Sequence, residues 1–249
     1  MNALKFTLTG RTAFFKKPDV NTYLYFTYGH IHKVALLGIF GAILGYKGYN
    51  QMSNKDDYPE FYSKLKNLKI SIVPKEYSMS KKVQVFNNSV GYASKEQGGN
   101  LIVNEQWLEN PSWDIYVLID SEEAESLCKS IINNKYVYLP YLGKNDHPAD
   151  IIDAEIITNI DYKEIDELSI DSMFLSKDFE FIIEEYDVDE DYEEYECENI
   201  YKYEEALPIS LNQDTNGYEL EILVMTNQKL KNISSIKVYK DNDRNIVFF

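Results

Sequence analysis

The stretch Leu4–Tyr49, LKFTLTGRTAFFKKPDVNTYLYFTYGHIHKVALLGIFGAILGYKGY, decides the fold of this chain. Leu4, Phe6 and Leu8 alternate with Lys5, Thr7 and Thr9, the period of a half-buried strand. Gly10 and Arg11 read as a bulge, after which Thr12 to Phe15 continues the strand. A polar turn at Lys16, Lys17, Pro18, Asp19 and Asn21 leads to an aromatic patch at Tyr23, Tyr25, Phe26 and Tyr28. Residues Ile31 to Tyr46 are apolar nearly all round, which predicts a helix buried on most sides.

Four glycines notch that helix. Gly38, Gly41, Gly45 and Gly48 are spaced 3, 4 and 3 apart, so at about 100° per residue they share one stripe. Each weakens a helix interior by roughly 1 kcal/mol against Ala, so four of them need a reason. The stripe admits another backbone, either the protein's own sheet or an RNA strand, and helix-on-sheet packing is the simpler of the two. Just before it, Tyr28-Gly29-His30-Ile31-His32-Lys33 sets two imidazoles and a cation at a helix N-terminus, a place that binds phosphate. The plain alternative is a pair of satisfied core histidines. Two residues apart, they share no helix face, which speaks against a metal pair.

Outward from this block, Asp57 to Leu68 predicts a second helix and Lys69 to Val73 a strand. Lys81 to Phe86 and Leu101 to Trp107 read as two strands joined by the polar link 87–100, a projecting hairpin. Trp113 to Ile119 is a strongly apolar strand. Ser121 then caps a helix that runs to about Asn133, with Glu122, Glu123 and Glu125 complementing its dipole. Tyr136 to Leu142 is expected to be a strand, the turn 143–148 follows, and another strand lies near Asp153 to Ile160. Without the hairpin the order is strand, helix, strand, strand, helix, strand. The expected class is therefore α+β, a ferredoxin-like or RNA-recognition-like fold over residues 1–160. Residues 161–249 form a β-rich C-terminal region, with strands at Tyr218 to Met225, Ile233 to Tyr239 and Asn245 to Phe249.

The formal net charge of -16 over 249 residues argues, by itself, against a nucleic-acid partner. The average conceals two surfaces. From Met1 to Lys82 there are 13 basic and five acidic residues, a net of +8, which leaves -24 for the rest. Within it, residues 178–205 hold 14 acidic residues against the single Lys202. A basic surface suits phosphate and an acidic one suits protein or solvent. Cys128 and Cys197 lie far apart with no CxxC spacing, so neither a disulfide framework nor a zinc site is expected. No signal-peptide pattern opens the chain, and the apolar run 34–46 is too short for a bilayer span of about 20 residues. A soluble, cytoplasmic protein without a membrane partner is expected.

LKFTLTGRTAFFKKPDVN and TYGHIHKVALLGIFGAILGYKGY, with the later PYLGKNDHPADI (Pro140 to Ile151), resemble the CRISPR-associated Cas-five family, most closely its type I-B Cascade members. The resemblance covers roughly the first 160 residues. It implies a repeat-associated RNA-recognition fold of the RAMP superfamily whose thumb is the 81–107 hairpin. It implies a non-catalytic subunit that holds the 5′ handle of the CRISPR RNA, caps a filament of backbone subunits beside a large subunit, and meets target DNA only through the complex. Arg11, Lys16, Lys17, His30, His32, Lys33, Lys81, Lys82, Gly143, Lys144 and Asn145 then become the candidate RNA contacts. No cofactor and no metal are implied. The turn 143–146 also suits an anion on its own chemistry, its ordinary alternative being a plain β-turn. Most of the 21 tyrosines are read as core or incidental.

Two other readings compete. Metal-independent cleavage of repeat RNA needs a general base and an acid, and only His30, His32 and His147 are available; no Lys-His pair follows the hairpin as in the cutting relatives. An acidic protein-interaction module without RNA affinity is the other. Asp187, Asp189, Asp191 and Glu198 fall at positions 1, 3, 5 and 12 of an EF-hand-like loop, but Tyr192 stands where the turn needs Gly, so calcium is not expected.

Overall fold

Strand β1 (Ala3–Thr9) directs Leu4, Phe6 and Leu8 into the main core, all fully buried. In a computed structural model, which describes residues 1–19, 23–163, 167–182 and 200–249, β1 is an inner strand of a four-stranded antiparallel sheet. Its partners are β3 (Ile70–Pro74), β6 (Ser112–Leu118) and β7 (Asp150–Ile157), in the order β3-β6-β1-β7. Helix α1 (Lys33–Leu44) links β1 to β3, with the short α2 (Glu60–Leu65) on the way, and α3 (Glu122–Ile132) links β6 to β7. The alternation of strands and helices is the one the sequence predicts. Ser121 caps α3 as expected, its Oγ accepting from Ala124 N at 3.2 Å.

β2 (Thr12–Ala13) leaves the sheet and pairs with β5 (Ile102–Glu109), which forms a hairpin with β4 (Lys81–Asn87). After β7 the described residues add nine strands. β8 (Asp161–Lys163), β9 (Glu167–Leu168), β10 (Phe174–Leu175) and β11 (Phe179–Phe181) are short; β12 (Lys202–Leu211) and β13 (Tyr218–Thr226) form a long hairpin. β14 (Leu230–Asn232), β15 (Val238–Asp241) and β16 (Arg244–Val247) complete the chain. The expected strand over 233–239 is interrupted because Ser235 has φ +56, a left-handed residue that breaks a ladder.

The C-terminal strands cover both sides of the N-terminal layers. Leu207, Leu211, Leu223 and Met225 of β12 and β13 join the core that surrounds α1. Tyr239, Ile246 and Phe248 pack on the opposite sheet face with Ala3, Tyr116 and Leu118. β1 is therefore buried on both faces rather than half-buried. Its polar face is satisfied by a network: Thr7 Oγ1 donates to Asp114 Oδ1 at 2.7 Å, Arg244 Nη1 to Asp114 Oδ2 at 2.7 Å, and Lys5 Nζ to Asp241 Oδ2 at 3.0 Å. The last residue, Phe249, exchanges backbone hydrogen bonds with Ile70 and so occupies the outer edge of β3.

The expected strand at Tyr136 to Leu142 does not form. A helix leaves its last carbonyls without intrahelical partners, and those of α1 are met from this segment: Val137 N donates to Ile43 O at 3.0 Å and Tyr138 N to Ala42 O at 3.1 Å. The segment is thus a cap for α1, and Val137, Tyr138, Leu139 and Tyr141 remain exposed.

The glycine stripe has no single cause. Gly41 sits against Phe61 of α2, too close for a side chain. Gly45 is the left-handed C-cap, with φ +79. Gly38 and Gly48 have nothing within 4 Å of where a Cβ would stand. None of the four packs α1 on the sheet as the simpler reading had it.

Candidate nucleic-acid interface

A groove of about 1050 Å³ opens beside Gly38. Its floor is α1 at Ala35, Gly38 and Ala42. Phe14, Lys16, Glu105, Gly143 and Lys144 form its cationic end, and Tyr46, Gly48, Tyr49, Asn50, Gln51, Tyr138, Tyr141 and Tyr218 also line it. Tyr49, Tyr138, Tyr141 and Tyr218 are all exposed. Aromatic faces beside ammonium groups are the chemistry that receives unpaired bases and their backbone.

The cationic end is positioned by backbone pairing on two sides of the segment 14–17. Phe14 N donates to Leu142 O at 3.1 Å, while Lys17 N donates to Phe26 O and Tyr28 N to Phe15 O, both at 2.9 Å. The aromatic patch at 23–28 is thus the partner strand of this segment. Lys16 Nζ lies 3.8 Å from the Tyr25 ring centroid and faces the groove. Gly143 has φ +88 and abuts the Phe14 carbonyl so closely that a Cβ would collide with it, which is why the turn carries glycine. Lys144 Nζ is 3.2 Å from both oxygens of Glu105 and 3.2 Å from Asp146 Oδ2. Glu105 is only 6% exposed, and its Oε2 also accepts from Trp107 Nε1 at 2.8 Å.

Of the residues singled out from the sequence, Lys16, His32, Gly143 and Lys144 line this groove. The side chains of Arg11 and Lys81 are exposed and have no hydrogen-bond or ion-pair partner among the described residues, and Asn145 is exposed in its turn. Lys82 pairs with Glu109 at 3.3 Å. Lys33 is half-buried with no carboxylate partner among the described residues, and burial pushes its ammonium down to about 8. Lys17 is taken up internally, 2.6 Å from Glu205 Oε1.

The histidines differ from the expected anion grip. His32 is itself the N-cap of α1, its Nδ1 accepting from Ala35 N at 3.2 Å, so the helix N-terminus is closed by the protein's own imidazole. Burial lowers His32 to about 3 and His30 to about 4, so both are neutral near pH 7. His30 Nδ1 accepts from Trp113 Nε1 at 3.2 Å and its ring stands edge-on to Tyr203. His147 is fully buried, its Nδ1 2.7 Å from Thr12 Oγ1 and its ring edge-on to Trp107. These imidazoles brace the core rather than meet phosphate.

The groove tyrosines were passed over in the sequence because nothing in their spacing separates them from the other aromatic residues. The calcium-like positions Asp187, Asp189, Asp191 and Glu198 lie outside the described residues, as does Cys197. Among the described residues no group of His, Cys, Asp and Glu is arranged to hold a metal. No described helix is long and apolar enough to cross a membrane.

No protein-family model matches the sequence, and no curated protein matches it significantly. Solved structures do share its architecture. A chain of a CRISPR RNA-guided surveillance complex superposes with a TM-score of 0.53 at 11% identity, over 91% of this chain and 90% of that one. A CRISPR protein from Archaeoglobus fulgidus superposes with a TM-score of 0.52 at 10% identity, over 100% and 98% of the two chains. At this identity the likeness is one of fold: a strand-rich α+β architecture shared, over nearly its whole length, with CRISPR proteins.

Proposed function

We propose that the chain is a non-catalytic subunit of a CRISPR RNA-guided surveillance complex that holds the 5′ handle of the CRISPR RNA, in an assembly of the type I-B Cascade kind. The observation that carries this reading is the tyrosine-lined groove beside Gly38, with Lys16 at one end, in a fold shared with a surveillance-complex chain. The sheet order β3-β6-β1-β7 with its two connecting helices supports the ferredoxin-like, RNA-recognition-like class. The β4–β5 hairpin supports the thumb, with exposed Lys81 at its base and exposed Val83 and Val85 along it. Arg11, Lys33 and Lys81 are the cations left for phosphates outside the groove. Backbone subunits and a large subunit are the protein partners, and target DNA is met through the complex.

The endoribonuclease alternative finds little support in the site. A general acid or base works within reach of its substrate and near its working pKa, whereas the three imidazoles are buried and neutral. The test is fluorescence anisotropy of a labelled repeat RNA with the purified full chain, in EDTA. Log affinity should fall with log salt by about 0.7 per phosphate contacted, the RNA should stay intact, and Gly38→Leu should weaken binding at least tenfold. A defined cut in the RNA, or unchanged affinity in Gly38→Leu, would overturn the reading.

A further inference from the structure

Glu105 is an unexpected group in a groove meant for RNA. It is a nearly buried carboxylate whose neighbour Lys144 it shares with Asp146. A phosphate at this corner would meet two carboxylates around one ammonium, so the backbone of a strand belongs elsewhere, nearer Lys16. What fits beside a fixed carboxylate and a neighbouring ammonium is the edge of a base.

The corner is built to hold one geometry. Glu105 is set by backbone pairing on either side of it, with Tyr25 N donating to Asn104 O at 3.0 Å and Gln106 N to Tyr25 O at 2.9 Å. Trp107 Nε1 fixes the carboxylate through Oε2. Each carboxylate oxygen accepts about two hydrogen bonds. Oε2 is filled by Trp107 and Lys144, and Oε1 carries Lys144 alone. If Lys144 turns from the carboxylate to an acceptor on a base, it frees one site on Oε2 and leaves Oε1 open for a pair of adjacent donors. Among the four RNA bases only guanine offers two neighbouring donors, N1–H and N2–H, next to an acceptor, O6. Tyr141, exposed on the same wall, is the ring on which such a base would stack.

We propose that Glu105 and Lys144 form a base-reading pair selective for an unpaired guanine, Glu105 accepting from N1–H and N2–H and Lys144 donating to O6. This rests on the groove being the RNA site.

The test uses the full chain and short oligouridylates carrying one guanosine, inosine, adenosine or cytidine, with affinity read by anisotropy. Wild type should prefer guanosine over inosine, which lacks the N2 amine, and over adenosine by about tenfold or more. Glu105→Gln keeps an acceptor for Trp107 and should abolish the preference. RNA binding without discrimination between guanosine and inosine, or a preference that survives in Glu105→Gln, overturns this proposal alone. Failure of every oligonucleotide to bind at low salt overturns it together with the RNA-binding reading. The wild-type base series stands by itself should Glu105→Gln fold poorly.

Discussion

Lys17 Nζ lies 2.6 Å from Glu205 Oε1, an ion pair between the basic N-terminal block and the end of the acidic C-terminal segment. The other oxygen of Glu205 accepts from Gly29 N at 2.8 Å and from the Tyr203 hydroxyl. Burial alone would raise the Glu205 carboxyl; the donors of Lys17, Tyr203 and Gly29 outweigh it and hold the group below the usual range. A folded pKa below the unfolded one means stability that is present above the unfolded value and lost as pH falls through the folded one. Glu205→Ala should destabilise the chain by about 2–4 kcal/mol near pH 7 and less near pH 3, because it strands a half-buried ammonium and two donors. Urea melts at the two pH values check this; equal effects at both would show that the charge is not involved.

Gly38 offers the opposite sign. It sits mid-helix with open space where a Cβ would point, so Gly38→Ala should stabilise by up to about 1 kcal/mol through helix propensity and a stiffer unfolded chain. A fall in melting temperature would mean that the space is not free.

Gly143→Ala should destabilise by about 2–4 kcal/mol, since it adds left-handed strain at φ +88 to a collision with the Phe14 carbonyl. The turn and segment 14–17 move together, so RNA affinity should fall with stability. Loss of stability with full affinity would detach the turn from the groove.

Lys33 is half-buried with no counter-charge among the described residues and is pushed down to about 8 by burial. Its protonation on folding is disfavoured below that value, so at pH 7 the ammonium destabilises the free chain. Lys33→Met should raise stability by about 1–3 kcal/mol and weaken RNA binding, the trade-off expected of a cation kept for a phosphate. Thermal melts and anisotropy on the same preparation separate the two effects.

His30 and His32 set the acid limit. Both have folded pKa values, about 4 and about 3, below the ordinary 6.5, so their contribution is complete above pH 6.5 and is lost as pH falls toward those values. Stability should decline by about 1 kcal/mol per pH unit for each imidazole between pH 6 and pH 4. His32→Asn keeps a good N-cap without the titration, so it should be nearly as stable at pH 7 and lose less on acidification. A parallel decline in His32→Asn would place the acid sensitivity elsewhere.

The alternation at Leu4–Leu8, the apolar run of α1 and the Ser121 cap were legible in the sequence because burial on one side, burial on all sides and an N-terminal cap each leave a local pattern. So were the order of strands and helices, the hairpin and the charge asymmetry. Two local patterns misled. Tyr136 to Leu142 has the residues of a strand, but the carbonyls it meets belong to the end of α1. His30 to Lys33 has the residues of an anion site, but His32 turns back to cap its own helix. In both, a backbone group that had to be satisfied took the partner first.

By itself, then, the sequence determined the helix and strand alternation around β1, the α+β class and the basic N-terminal third, because these follow from periodicity and composition along a single stretch of chain. Only the tertiary structure decided which cations stay free. Lys17 is neutralised by Glu205, and Lys144 is shared with Glu105 and Asp146, while the charged groups of Arg11 and Lys81 have no ion-pair partner among the described residues. It alone opened the groove beside Gly38 and turned five tyrosines toward it. Ion pairs and concave surfaces join residues far apart in the chain, and no local pattern records which distant side chain will arrive.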